Sequence, residues 1–151
     1  MTPLEWLRIV EIFTEDKELY KYCDPDFVID GDKVSVKIVK RIQNTLKTYP
    51  DSYCVISEKD NYFFVFLFAH GEWILYSFGV HPDFRTHENL QRFWEHLTRE
   101  HEEFICYLYD NNTRAINWLK KMGMVAESKV VESAKKIAVK LRLTKQEISL
   151  I

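Results

Sequence analysis

The chain has 151 residues, 46% of them hydrophobic and 15% aromatic, which excludes a disordered chain and suits one domain (1–151) built on one continuous core. Twenty-one Lys and Arg face 23 Asp and Glu, so the basic excess of a nucleic-acid footprint is missing and no nucleic-acid partner is expected. "TPLEWLRIV" after Met1 is no signal peptide, no apolar run reaches the ~20 residues of a bilayer span, and Cys23, Cys54 and Cys106 show no CxxC pairing, so a soluble protein of a reducing cytosol is expected.

In chain order, Thr2 can cap and Pro3 can open a first helix whose apolar side is Leu4, Leu7, Ile9, Val10 and Phe13. A short helical piece over 17–23 leads into "DPDFVIDGD" (24–32), an acidic turn-rich loop without the ligand order of a calcium loop. Over 33–46, Val36, Val39, Ile42 and Leu46 recur at helical spacing, and "TYPD" ends that helix. The period then changes. "SYCVISE" and "YFFVFLFAH" joined by "KDN", with "WILYSFGV" following "HGE", predict an antiparallel meander whose unbroken apolar character calls for helices on both faces. After Pro82, Leu90, Phe93, Trp94 and Leu97 predict a helix over 86–101. "FICYLY" is a strand. "NNTRAINWLKKMG" is a helix capped by Asn111 or Asn112, with Ala115, Ile116, Leu119 and Met122 inward and Gly123 at its end. "MVAES" and "KKIAVKLRL" close the sheet. The domain thus divides into a helical part (1–50), a core (51–143) and a tail (144–151).

This order of elements, together with "GVHPDFR" (79–85) and "NTRAINWLKKMGM" (112–124), resembles the GNAT family of acetyl-CoA-dependent N-acyltransferases. The resemblance implies an α/β (α+β) fold with a mostly antiparallel mixed sheet and helices on both faces. It also implies a splay between the "WILYSFGV" and "FICYLY" strands that admits acetyl-CoA. The cofactor-binding positions it implies are Phe78 and Val80 on the strand, Arg85, Thr86, His87, Glu88, Asn89 and Leu90 in the loop and helix start, and Asn112 at the later helix. The acceptor would be an amine-bearing small molecule or protein.

The sequence departs from the family in three places. Where the family reads R/Q-x-x-G-x-G/A, so that backbone N–H groups can approach the pyrophosphate, this chain reads "RTHENL", with Glu88 and Leu90 at the small-residue positions. Glu88 sets a negative charge against a phosphate site, so affinity for acetyl-CoA is expected to be weak or absent. Leu119 stands where many members carry a proton-donating tyrosine. The third strand lacks the glutamate that often activates the amine, leaving Tyr76 and Ser77 there and Glu72 as the nearest carboxylate, so no catalytic residue is assigned. The layout is also similar to small proteins of short-tailed lytic bacteriophages, described either as acetyltransferases or as internal virion and morphogenesis proteins, which implies the host cytoplasm or a virion as location. Two functions follow: an N-acetyltransferase with a degenerate cofactor loop, or a GNAT-fold binding or assembly component without turnover that associates with itself or a protein partner.

Other conspicuous residues read more plainly. His96 and His101, five apart on one helix, point about 140° apart and cannot share a metal. His81 and His87 flank the loop as surface histidines or as base or phosphate donor. Cys54 and Cys106 read as buried small apolar residues. Arg85 would face an anionic ligand or form a salt bridge to Asp83 or Glu88. The tail "TKQEISLI" folds back onto the core or docks a partner.

Overall fold

The computed structural model describes residues 1–18, 34–133 and 136–145. The acidic loop over 24–32, most of the helical piece over 17–23 and most of the tail lie outside the described residues. The elements are α1 (Pro3–Thr14), α2 (Val34–Thr48), β1 (Tyr53–Ser57), β2 (Tyr62–Ala69), β3 (Glu72–Val80), a 3-10 turn (Pro82–Phe84), α3 (His87–Glu100), β4 (Phe104–Tyr109), α4 (Thr113–Lys121), β5 (Val125–Ser133) and β6 (Lys136–Leu143). The strands form one sheet in the order β1-β2-β3-β4-β6-β5. Every neighbouring pair is antiparallel except β3 and β4, which run parallel.

The unbroken apolar run of β2 has a simple cause. Its side chains alternate between two cores, one on each face of the sheet. Tyr62, Phe64 and Phe66 pack with Phe93, Trp94 and Leu97 of α3 and Ile116 and Leu119 of α4. Phe63 and Val65 pack with Ile9, Ile12 and Phe13 of α1 and Val39 and Ile42 of α2. α1 starts at the cap the sequence predicts, Thr2, whose Oγ1 accepts the Glu5 N–H (3.2 Å), and Glu5 Oε1 accepts the Thr2 N–H (3.0 Å) to complete a capping box. Its inward side is narrower than expected. Leu4 and Leu7 are 61% and 63% exposed because, at about 3.6 residues per turn, both fall roughly opposite Ile9 on the helix, while Trp6, Ile9, Ile12 and Phe13 face the core. β5 runs on to Ser133, beyond "MVAES", as an edge strand exposed at every position; pairing with β6, rather than burial, extends it.

Gly79 sets how closely α1 approaches the sheet. A Cβ at this position would stand 2.8 Å from Phe63 Cε1 and 3.2 Å from Ile12 Cγ2. Phe63 is fully buried and Ile12 almost so, and neither has space to retreat. Gly79→Ala is therefore expected to destabilise the fold by about 1–3 kcal/mol, read from the midpoint of urea denaturation. An unchanged midpoint would mean that α1 rides freely over β3.

His96 on α3 and His101, which follows that helix in extended conformation instead of belonging to it as the predicted span 86–101 has it, are built into the α3 side of the core. His96 Nδ1 lies 2.6 Å from the Tyr62 hydroxyl, and His101 Nε2 lies 2.7 Å from that of Tyr53 while its ring stacks on Trp73 at 4.0 Å. Burial pushes both imidazole pKa values down; Arg99 adds to this at His96, and Glu100 opposes it at both. A histidine whose folded pKa lies below its unfolded value near 6.5 contributes stability that is complete above that pH and is lost as pH falls through the folded pKa. Thermal stability should therefore decline between about pH 7 and pH 5, before carboxylates titrate, and replacing both histidines with glutamine should flatten that decline. A wild-type melting temperature constant over this window would contradict the assignment.

Candidate functional site

β3 and β4 share the register pair Ile74↔Ile105 near their starts, and their C-terminal ends diverge. The gap opens into a cleft of ≈ 820 Å³, within the range of small-molecule sites. On one side it is walled by Phe78, Val80, Leu90, Leu108, Ala115 and Trp118, and on the other by Ile42, Thr45, Tyr49, Tyr76 and Tyr107. A bulge shapes the wall between them. Val65 pairs with Ser77 and Phe66 with Leu75, so β3 carries one extra residue, Tyr76. Leu75 and Phe78 both belong to the α3-side core, and the bulge leaves Tyr76 and Ser77 as consecutive hydroxyl-bearing residues lining the cleft between them.

The residues implied by the resemblance divide into two groups. Phe78, Val80, Arg85, Leu90 and Asn112 line the cleft. Thr86, His87, Glu88 and Asn89 form the start of α3 beside it. Thr86 Oγ1 accepts the Asn89 N–H at 3.2 Å, making Thr86 the cap. Asn89 is buried; its Nδ2 donates to the carbonyls of Asp60 and Phe84, both at 2.8 Å, and its Oδ1 accepts from Arg92 at 3.1 Å, so it fastens the β1–β2 turn to the loop before α3. His87 and Glu88 are exposed at the first two helical positions, where an α-helix leaves backbone N–H groups without an intrahelical acceptor. Asn112 caps α4 by accepting the Ala115 N–H at 3.3 Å, the second of the two candidate caps.

Arg85 faces a carboxylate, but a different one from those expected. Its Nε donates to the Val80 carbonyl at 2.9 Å and its Nη2 to Asp16 Oδ2 at 2.9 Å, in place of Asp83 or Glu88. Arg114, in the first turn of α4, donates Nη2 to the same oxygen at 2.7 Å. The Asp16 side chain is only 8% exposed. Burial alone would push its pKa up, but the hydrogen bonds and charges of Arg85 and Arg114 outweigh this and hold it below the usual carboxylate value. The sequence offers no sign of this triad, whose members lie 69 and 98 residues apart.

Acid–base groups are sparse. Leu119 is fully buried in the α3-side core. Glu72 is not available to the cleft: it is bound by Arg142, which also binds Glu127, next to the paired ends of β3 and β4. Among the described residues on the cleft wall, those able to take a proton are His70, Glu132 and the doubly bound Asp16. His81 is buried and structural, its Nδ1 accepting the Asp83 N–H at 3.1 Å. Cys106 is buried and Cys54 half-buried, and burial pushes both thiols up to about 12, which leaves them unreactive. Among the described residues no helix is long and apolar enough to cross a membrane.

The sequence matches no protein-family model and no curated protein. Solved structures match the whole arrangement. A GNAT-family protein from Desulfovibrio desulfuricans superposes with a TM-score of 0.69 at 13% identity, over 96% of this chain and 95% of its own. An aminoglycoside 6'-N-acetyltransferase complexed with coenzyme A gives 0.64 at 10% identity, over 98% and 94%. The PaiA N-acetyltransferase of Thermoplasma acidophilum, also in complex with coenzyme A, gives 0.59 at 12% identity, over 93% and 94%. With its six-stranded mixed sheet and the splay between β3 and β4, the chain has the GNAT acyl-CoA N-acyltransferase fold.

Proposed function

We propose that the protein binds acetyl-CoA in the β3–β4 splay and transfers the acetyl group to an amine. The observation that carries this reading is the splay itself, a cleft of ≈ 820 Å³ lined from both separated strands. Two structural neighbours are complexes with coenzyme A, which supports the same class of ligand here. The fit is good for the pantetheine arm: beyond Ile74 the β3 edge lacks a paired neighbour on its β4 side, and Phe78, Leu108 and Trp118 supply an apolar wall. It is poorer at the phosphate end, where the first-turn N–H groups of α3 suit an anion but the Glu88 carboxylate opposes one.

When bound, acetyl-CoA supplies a thioester as acyl donor. The chain's part is to orient that group along β3 and to bring an amine beside it, and holding both in register is itself a large rate effect. Tyr76 and Ser77 offer hydroxyls at the bulge, while His70 and Glu132 can take the amine's proton. Buried Leu119 and the bound Glu72 favour a second reading, a GNAT-fold binding or assembly component without turnover. Calorimetric titration with acetyl-CoA, followed by a thiol-release assay against a panel of amines, separates the two. Binding with acceptor-dependent release of free thiol supports the transferase. Binding without release supports the second reading, and absence of binding at millimolar acetyl-CoA removes the transferase.

A further inference from the structure

We propose that Arg85 and Arg114 form a phosphate-binding pair that Asp16 occupies as an internal competitor, and that a phosphorylated ligand must displace this carboxylate to seat its anionic end. The inference rests on the splay as the ligand's way in. It adds a built-in occupant of the site and a residue, Asp16, that controls admission.

The two guanidiniums come from different walls of the cleft. Arg85 stands one residue before the cap of α3, and Arg114 lies in the first turn of α4. Both elements turn the positive ends of their helix dipoles toward this region, so an anion is favoured there before any side chain is counted. Both arginines converge on one atom, Asp16 Oδ2, at 2.9 and 2.7 Å. The other oxygen, Oδ1, accepts the Glu18 N–H at 3.2 Å, and Glu18 Oε2 lies 3.8 Å from Arg114 Nη1. Asp16 offers both guanidiniums one shared oxygen, while Arg85 also holds the Val80 carbonyl and Arg114 lies beside Glu18. A phosphate group, with three oxygens and up to two charges, can take both arginines bidentately.

Asp16 is also placed so that it can leave. It lies beyond the end of α1, in a turn where, among the described residues, the Asp16 N–H donates to the Phe13 carbonyl at 3.2 Å. The buried face of α1 ends at Phe13. Displacing the carboxylate therefore moves the turn after α1 and leaves the helix seated on the sheet. Because the site is populated by its own competitor, the apparent affinity for a phosphorylated ligand is the intrinsic affinity multiplied by the fraction of molecules in which Asp16 is away from the arginines.

Inorganic pyrophosphate tests the pair without the rest of any cofactor. Titrated into the wild type, Asp16→Asn and Asp16→Asn/Arg114→Gln, it should bind the single variant about tenfold more tightly than the wild type, and the double variant should lose that gain. Equal or weaker binding by a folded Asp16→Asn, or a gain that survives loss of Arg114, would show that Asp16 is only a structural tie and would overturn the proposal. If Asp16→Asn does not fold, hydrogen exchange in the wild type decides: faster exchange of the Glu18 amide with saturating pyrophosphate supports displacement, and unchanged protection overturns it. Coenzyme A run in parallel separates this inference from the functional reading. No coenzyme A binding, with pyrophosphate binding still governed by Asp16, removes the cofactor and leaves the pair. Coenzyme A binding that ignores Asp16→Asn, with pyrophosphate equally indifferent, does the reverse.

Discussion

Phe66→Ala is expected to lower the free energy of unfolding by about 3–5 kcal/mol, the range for removing a fully buried aromatic ring. Phe66 is fully buried in the middle of β2. Its ring centroid lies 4.6 Å from His101, 5.4 Å from Phe104, 5.6 Å from Phe64, 6.0 Å from Tyr53 and 6.5 Å from Trp73. It is thus the common neighbour of rings drawn from β1, β2, β3, the end of α3 and β4. These partners are themselves fixed in sheet and helix, so the space left behind cannot close by collapse. Phe68, two residues on and 39% exposed, has Trp73 as its aromatic neighbour at 5.3 Å, and Phe68→Ala should cost less than about 1 kcal/mol. Urea denaturation of the pair measures both. Similar losses at the two positions would show that the core does not centre on the even-numbered face of β2.

The strand that carries this centre was legible in the sequence because it depends on local period. The change from helical spacing before Tyr49 to strand runs after Ser52, and back near Thr86, marks the bounds of the β1–β3 meander, and the doubly apolar β2 already requires cover on both faces. The cap at Thr2 was legible for the same reason and that of α4 was narrowed to Asn111 or Asn112, whereas the cap role of Thr86, expected within the cofactor loop, was not read. What could not be read is whatever depends on tertiary approach. The apolar residues of α1 run most of the way round the helix, and tertiary docking decides that Ile9, Ile12 and Phe13, not Leu4 and Leu7, face inward. Tyr53 and His101, 48 residues apart, have no shared pattern in the chain, nor do Glu72 and Arg142 at 70.

The candidate site follows the same division. The strand end and loop that the motif spacing singles out border the cleft at Phe78, Val80, Arg85 and Leu90, as does Asn112. The charge pattern that governs them does not follow from that spacing. Arg85 seemed to have a choice of Asp83 or Glu88 because those carboxylates are close in sequence, but Asp83 extends into solvent with its side chain 85% exposed and Glu88 is on the outer surface of α3's first turn. A partly buried guanidinium gains more from a partner it can share out of water, and Asp16 is that partner.

Glu88→Lys is expected to tighten binding of coenzyme A by about 30-fold at low salt. Glu88 is exposed at the second position of α3, so its interaction with a phosphate at the helix start belongs near the water-like end of the dielectric range, where unit charges ~4 Å apart interact by about 1 kcal/mol. Reversing the charge changes that interaction by about 2 kcal/mol, which is about 30-fold at ~1.4 kcal/mol per decade. Removing the charge with Glu88→Gln should give about the square root of that gain. The lysine costs the helix about 0.3–1 kcal/mol, because an acidic side chain suits the positive end of the dipole better, so tighter binding should accompany slightly lower thermal stability. Leu90→Gly is the poorer test of the missing glycines. Leu90 packs against the α3-side core as well as lining the cleft, and glycine inside a helix costs roughly 1 kcal/mol, so a gain in space would be masked by loss of order in α3. Measured at about 20 mM and about 500 mM salt, the benefit of Glu88→Lys should shrink as the screening length falls. If all three proteins bind coenzyme A equally at low salt, its phosphates do not approach the start of α3, and the anionic end of the ligand must lie elsewhere in the cleft.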